Sequence, residues 1–167
     1  MENKKILSYK ALAKINLTLE LLDTLPNGYH QLDTIFQSLE LADQLFLRKA
    51  QETNLEIIDE IGCGFTVSAD QDNLVLKAHR ALQNFTGLEL PCHFVLHKNI
   101  PAGGGLGGGS ADCAAALKGL NALYNLQLSH EVLLEEAGKL GADVAFGLVE
   151  NTARGLGRGE QLTKLPI

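Results

Sequence analysis

The chain has no CxxC pair, no basic excess, no long apolar run and no internal repeat. Its three cysteines, Cys63, Cys92 and Cys113, are scattered and odd in number. They indicate neither a zinc site nor a disulfide framework and suit a reducing compartment. Fourteen Lys and Arg stand against twenty Asp and Glu, a formal net charge of −6. A nucleic-acid binder needs a basic face, so no nucleic-acid partner is expected. Met1 to Ser8 hold no apolar signal core, and nothing reaches membrane-spanning length. The expectation is a cytoplasmic protein with no membrane partner. The 167 residues, 46% of them hydrophobic, suffice for one packed domain.

What the chain does have is glycine in one place. From Pro101 to Asp112 it reads Pro-Ala-Gly-Gly-Gly-Leu-Gly-Gly-Gly-Ser-Ala-Asp, then runs into an Ala- and Leu-rich helical stretch, Ala114 to Tyr124. Glycine reaches positive φ and lets backbone N–H groups approach a ligand. A helix N-terminus adds unpaired donors and partial positive charge, so loop and helix together suit a polyanion, most often phosphate. Gly104 to Gly109 match G-x-x-x-x-G, but Ser110 stands where the P-loop has Lys. Gly103, Gly105 and Gly108 match G-x-G-x-x-G, a near-automatic match in so dense a run. Pro101 and the antiparallel look of the N-terminal half oppose a dinucleotide fold. A mere linker or turn needs one or two glycines, not six.

Residues 13–21 alternate strictly. Ala13, Ile15, Leu17, Leu19 and Leu21 form one face and Lys14, Asn16, Thr18 and Glu20 the other, a half-buried strand. Pro26-Asn27-Gly28 signals a turn, so strand regions are expected over 8–23 and 29–48, with short strands over 53–59, 63–68 and 92–98. Asp72 is a candidate cap for a helix with Leu74, Ala78, Ala81, Leu82 and Phe85 on one side. A further helix starts near Ser129, buries Leu133, Leu134, Ala137 and Leu140, and stops at Gly141. The tail, 152–167, suggests a strand–turn segment. Strands first and helices later make the class α+β.

The segment Pro101 to Ala111 resembles the second conserved motif of the GHMP kinases. The doubled glycine triplet is similar to one branch of them, the 4-diphosphocytidyl-2-C-methyl-D-erythritol kinases. Ala13-Lys-Ile-Asn-Leu17, Gly28-Tyr-His30, Asn73-Leu74 and Gly141-Ala-Asp-Val-Ala-Phe146 match that branch in the same order. The resemblance implies a mixed, mostly antiparallel sheet packed against helices, the ribosomal protein S5 domain 2-like fold. It implies ATP and Mg2+ as cofactors and diphosphocytidyl methylerythritol as the small-molecule substrate. Two other readings stay open: another GHMP small-molecule kinase, or a non-catalytic nucleotide-binding fragment.

Roles follow position by position. Lys14 and Asn16 share a strand face, about 7 Å apart at the usual rise. Alone that face reads as solvated; the resemblance implies that Lys14 acts at the acceptor hydroxyl and Asn16 orients the substrate. A lone Asp after a helix-ending glycine is usually a cap, but the resemblance makes Asp143 the base that takes the hydroxyl proton. Tyr29 and His30 read unaided as a strand edge; by resemblance they recognise cytosine, by stacking and by hydrogen bonds. Asn73 is implied near adenine and Lys98 along the nucleotide pocket. Pro101, Gly103, Gly104, Gly105, Leu106, Gly107, Gly108, Gly109 and Ser110 are implied to cradle the triphosphate. Ser110 is the natural N-cap of the motif helix, and its hydroxyl is a candidate contact for phosphate or magnesium.

The chain departs from the branch in two ways. Ala145 stands where Pro is usual and Gly147 where a second aromatic is common, and both are expected to loosen the local backbone. Family members also carry a second domain beyond the point where this chain stops. Residues 1–167 are therefore expected to be the N-terminal ATP-binding domain with the C-terminal domain absent. An apolar face left bare would favour self-association, and the half-built cleft would leave activity weak or absent.

Overall fold

In the computed structural model, residues 5–24, 30–62 and 67–166 are described. The expected strand over 63–68 falls mostly outside them, and residues 67 and 68 are not in a strand. Cys63 and Tyr29 lie outside the described residues, and of His30 only the backbone is described.

Two long strands, β1 (Leu7–Thr24) and β2 (His30–Lys49), form an antiparallel ribbon. Strand β3 (Asn54–Asp59) follows, then helix α1 (Leu74–Thr86), β4 (Cys92–Lys98), α2 (Gly108–Tyr124), α3 (His130–Leu140), α4 (Ala142–Val149), β5 (Thr152–Gly157) and β6 (Gln161–Lys164). The sheet order is β3-β4-β2-β5-β6, with β1 on the other side of β2. Every pairing is antiparallel except β3 with β4. This is the mixed, mostly antiparallel sheet of the expected α+β class.

The core lies between the sheet and the helices. Leu45 and Leu47 of β2 and Phe94 and Leu96 of β4 are at most 1% exposed and pack with α1 and α2. Helix α2 is buried almost all round, through Ala111, Cys113, Ala114, Ala115, Ala116, Leu117 and Leu120. Its small residues admit close neighbours. A Cβ at Gly119 would fall 2.6 Å from Leu47 Cδ1. Burial raises the Cys113 and Cys92 thiols to about 12, so neither is a reactive thiolate.

Four expectations are corrected. The apolar face of β1 is not half-buried: Leu17, Leu19 and Leu21 are 55–67% exposed. The register breaks between Leu12 and Lys14, and from there Lys14 and Asn16 turn inward instead. Asn73, not Asp72, caps α1, accepting from Val75 N; the buried stripe runs through Val75, Leu76, Ala78, His79 and Leu82, leaving Phe85 exposed. The motif helix starts at Gly108, ahead of its expected cap Ser110. Gly147 does not loosen the chain. It lies inside α4, where a Cβ would stand 2.7 Å from Ala114 Cβ, so its bareness allows α4 to press on α2. Ala145 beside it is fully packed. Ser129 caps α3 and Gly141 ends it, as the sequence predicts.

Candidate active site

The glycine loop joins β4 to α2. Gly103, Gly105 and Gly107 have φ of +76°, +72° and +70°, a region costly for any residue with a Cβ. Such left-handed residues set among others turn successive N–H groups into one concavity, as in anion-binding nests. Gly107 is the N-cap of α2 and offers no side chain to the first turn. Ser110 is therefore not the cap, contrary to the sequence reading. The left-handed turn at Gly107 brings the chain into the helix three residues earlier, and the first-turn N–H groups stay available to a ligand.

The loop borders a cavity of about 360 Å³. Pro101 through Gly109 form one wall, Ser68, Asp70, Asp72, Asn73 and Leu74 the other, and Lys98, Ile100 and Asp112 also border it. Asn73, Lys98 and the glycine run thus border one cavity. Ser110, half-buried, is not among the lining residues.

Lys14 lies beside the loop. Its backbone N donates to Leu106 O at 2.8 Å, which ties β1 to the loop. Its ammonium donates to Asn16 Oδ1 at 2.8 Å and stands 3.1 Å from Asp143 Oδ2. Asn16 Nδ2 donates to Thr34 Oγ1 at 2.7 Å, and Thr34 donates on to Thr18 O at 2.6 Å. This chain fixes the Asn16 amide with its oxygen toward Lys14. The ammonium also sits 5.6 Å from the centroid of Phe36, which stacks on Phe146 at 4.8 Å. Asp143 comes from the first turn of α4, whose dipole favours a carboxylate there. Lys14, Asn16 and Asp143, far apart in sequence, therefore meet. The predicted roles of Tyr29 and of the His30 side chain fall outside the described residues.

On the cavity side, Lys98 Nζ bonds both Asp43 Oδ2 and Asp112 Oδ2, the latter at 2.8 Å. Burial pushes the Asp112 carboxyl up to about 8 although Lys98 opposes it. Asp112 Oδ1 is the one buried side-chain oxygen without a hydrogen-bond partner among the described residues. No three His, Cys, Asp or Glu side chains converge as metal ligands among the described residues.

Sequence reasoning missed Asp43, Asp112, Thr34 and the Phe36–Phe146 stack. Asp43 had a signal: it shares a strand face with Leu45 and Leu47, and a charge at a core position requires a partner.

Residues 73–151 match the GHMP kinases N terminal domain. A 4-diphosphocytidyl-2-C-methyl-D-erythritol kinase of Carboxydothermus hydrogenoformans is 44% identical over 154 residues, 92% of this chain and 52% of that protein. A crystal structure of 4-(cytidine 5'-diphospho)-2C-methyl-D-erythritol kinase superposes with a TM-score of 0.77 at 34% identity, over 96% of this chain and 56% of the other. The homoserine kinase of Cytophaga hutchinsonii shares the fold at 20% identity, with a TM-score of 0.70 over 100% of this chain and 54% of its own. The chain spans about half the length of the curated relatives it matches.

Proposed function

For a chain whose residues 73–151 match the GHMP kinases N terminal domain, we propose the ATP-binding half of a 4-diphosphocytidyl-2-C-methyl-D-erythritol kinase, acting in the cytoplasm in non-mevalonate isoprenoid synthesis. The observation that carries this reading is the Lys14–Asp143 pair, seated against the glycine loop by the Lys14 N–H to Leu106 O bond.

Phosphoryl transfer asks for positioning and charge stabilisation more than for covalent help. In this reading the loop N–H groups and the first turn of α2 hold the triphosphate, Asn73 borders the adenine and Lys98 lines the pocket. The Ser110 hydroxyl, at the start of α2 just behind the lining residues, would be the protein oxygen nearest a nucleotide-borne Mg2+, which would supply charge neutralisation at the phosphates. The acceptor 2-hydroxyl lies beside the Lys14–Asp143 ion pair, within reach of both groups. Its oxygen forms a bond to the γ-phosphorus as the bond from that phosphorus to the β–γ bridging oxygen breaks, releasing ADP. Asp143 takes the hydroxyl proton. Lys14 offsets the negative charge that develops on the reacting oxygens. Asn16, Tyr29 and His30 hold the acceptor.

The test is a turnover assay with the diphosphocytidyl substrate, run on this chain and on the chain fused to the second half of a relative. Turnover in the fusion with little or none in the chain alone is expected. Nucleotide binding without turnover in both removes the substrate assignment and leaves a nucleotide-binding module.

A further inference from the structure

Asp43 sits in the middle of β2 with 0% exposure, on the face that carries Leu45 and Leu47 into the core. A carboxylate there persists only with full compensation. Oδ1 accepts from Asn99 N at 2.6 Å and Ile100 N at 2.8 Å, and Oδ2 accepts from Lys98 Nζ. The three donors are consecutive residues that lead β4 into the glycine loop. Asn99 Nδ2 adds a bond to Ala42 O at 3.3 Å, again onto β2. Lys98 Nζ lies under the first turn of α2: a Cβ on Gly108 would stand 3.2 Å from it. Asp43 itself does not line the cavity, whereas Lys98 and Ile100 do.

From this geometry we infer that Asp43 is a positioning residue for the triphosphate site. It fixes the entry of the glycine loop through two backbone bonds and holds the Lys98 ammonium beneath Gly108 through the third. The inference rests on the nucleotide reading of the cavity given above. Two carboxylates share Lys98, one on β2 and one on α2. Without Asp43, the ammonium is left to Asp112 alone and the Asn99 and Ile100 N–H groups lose their acceptor, so cation and loop both shift relative to the phosphates.

The test is a double-mutant cycle of Asp43→Asn and Lys98→Met, read as the dissociation constant of a fluorescent ATP analogue, with thermal melts on the same samples. Asp43→Asn keeps an oxygen for the two backbone donors and removes the acceptor for Lys98. Each single variant is expected to weaken binding on the order of 10-fold, and the double variant to be no weaker than Lys98→Met, as coupled neighbours behave. Equal further loss from Asp43→Asn in both backgrounds, or no loss in either, overturns the inference while leaving the cavity reading intact. Absence of nucleotide binding by the unaltered protein overturns both. A measurement that needs no variant is amide exchange: the Asn99 and Ile100 N–H groups are expected to exchange more slowly than those of Gly103 to Gly105. Fast exchange at Asn99 and Ile100 means there is no clamp.

Discussion

Gly107 lies directly against the side chain of Lys14: a Cβ at Gly107 would stand 2.9 Å from Lys14 Cγ and 3.0 Å from Cε. The same glycine is left-handed, with φ of +70°. Gly107→Ala therefore strains the backbone, by about 1–2 kcal/mol, and displaces the lysine stem. The expected outcome is a lower denaturation midpoint together with weaker nucleotide binding, by chemical unfolding and nucleotide titration. Unchanged affinity would separate the loop's shape from its ligand.

Lys14 and Asp143 are expected to act as a unit. In the fused enzyme, Lys14→Met and Asp143→Asn should each lower kcat by roughly 100- to 1000-fold, the range for losing a preorganised charge-stabilising group. The double variant should be little worse than either single one. Nucleotide affinity should change little in all three. Fully additive losses would mean that the two residues act in separate steps.

His79 of α1 is 5% exposed and its Nε2 lies 2.8 Å from Leu90 O, a pure acceptor, so that nitrogen carries the proton. Burial is the main force that lowers its pKa below 6.5, with the Leu90 carbonyl opposing. As pH falls through 6.5 the unfolded chain binds a proton before the folded one does, so stability is lost toward the depressed folded value. Denaturation midpoints between about pH 7 and pH 5 should fall less steeply in His79→Gln. An identical slope would place the acid sensitivity elsewhere.

Leu17, Leu19 and Leu21 expose an apolar row along β1. Concentration-dependent association of the isolated chain is expected in sedimentation, and Leu19→Lys should reduce it without lowering the melting temperature. A monomer at all concentrations would show that the row is tolerated in water as it stands.

The sequence made legible whatever rests on local pattern. The alternation of β1, the cap of α3 at Ser129 and the glycine density of the loop each carry their own signal. The pairing of Lys14 with Asp143 came only through family resemblance, because no local rule links a strand residue to one on the first turn of α4. Helix α4 was missed: eight mostly apolar residues with a glycine inside show no amphipathic period. The cap at Ser110 was misassigned because glycines at positive φ can start a helix without a side-chain cap. The inward face of β1 was misread because alternation assumes an unbroken ladder, and this one breaks at Lys14.

That break reaches both strands of the ribbon. The inward residues of β1 are Ala11 and Ala13 before it and Lys14 and Asn16 after it. On β2 they pass from Thr34 and Phe36 to Asp43, Leu45 and Leu47 across the same place. In both strands the inward numbers change between odd and even. The chain therefore tolerates exchanges of residue type here better than changes of length. One residue gained or lost between Ala11 and Lys14, or between Ser38 and Asp43, would barely change the composition yet send either the lysine or the core leucines to the wrong side of the sheet.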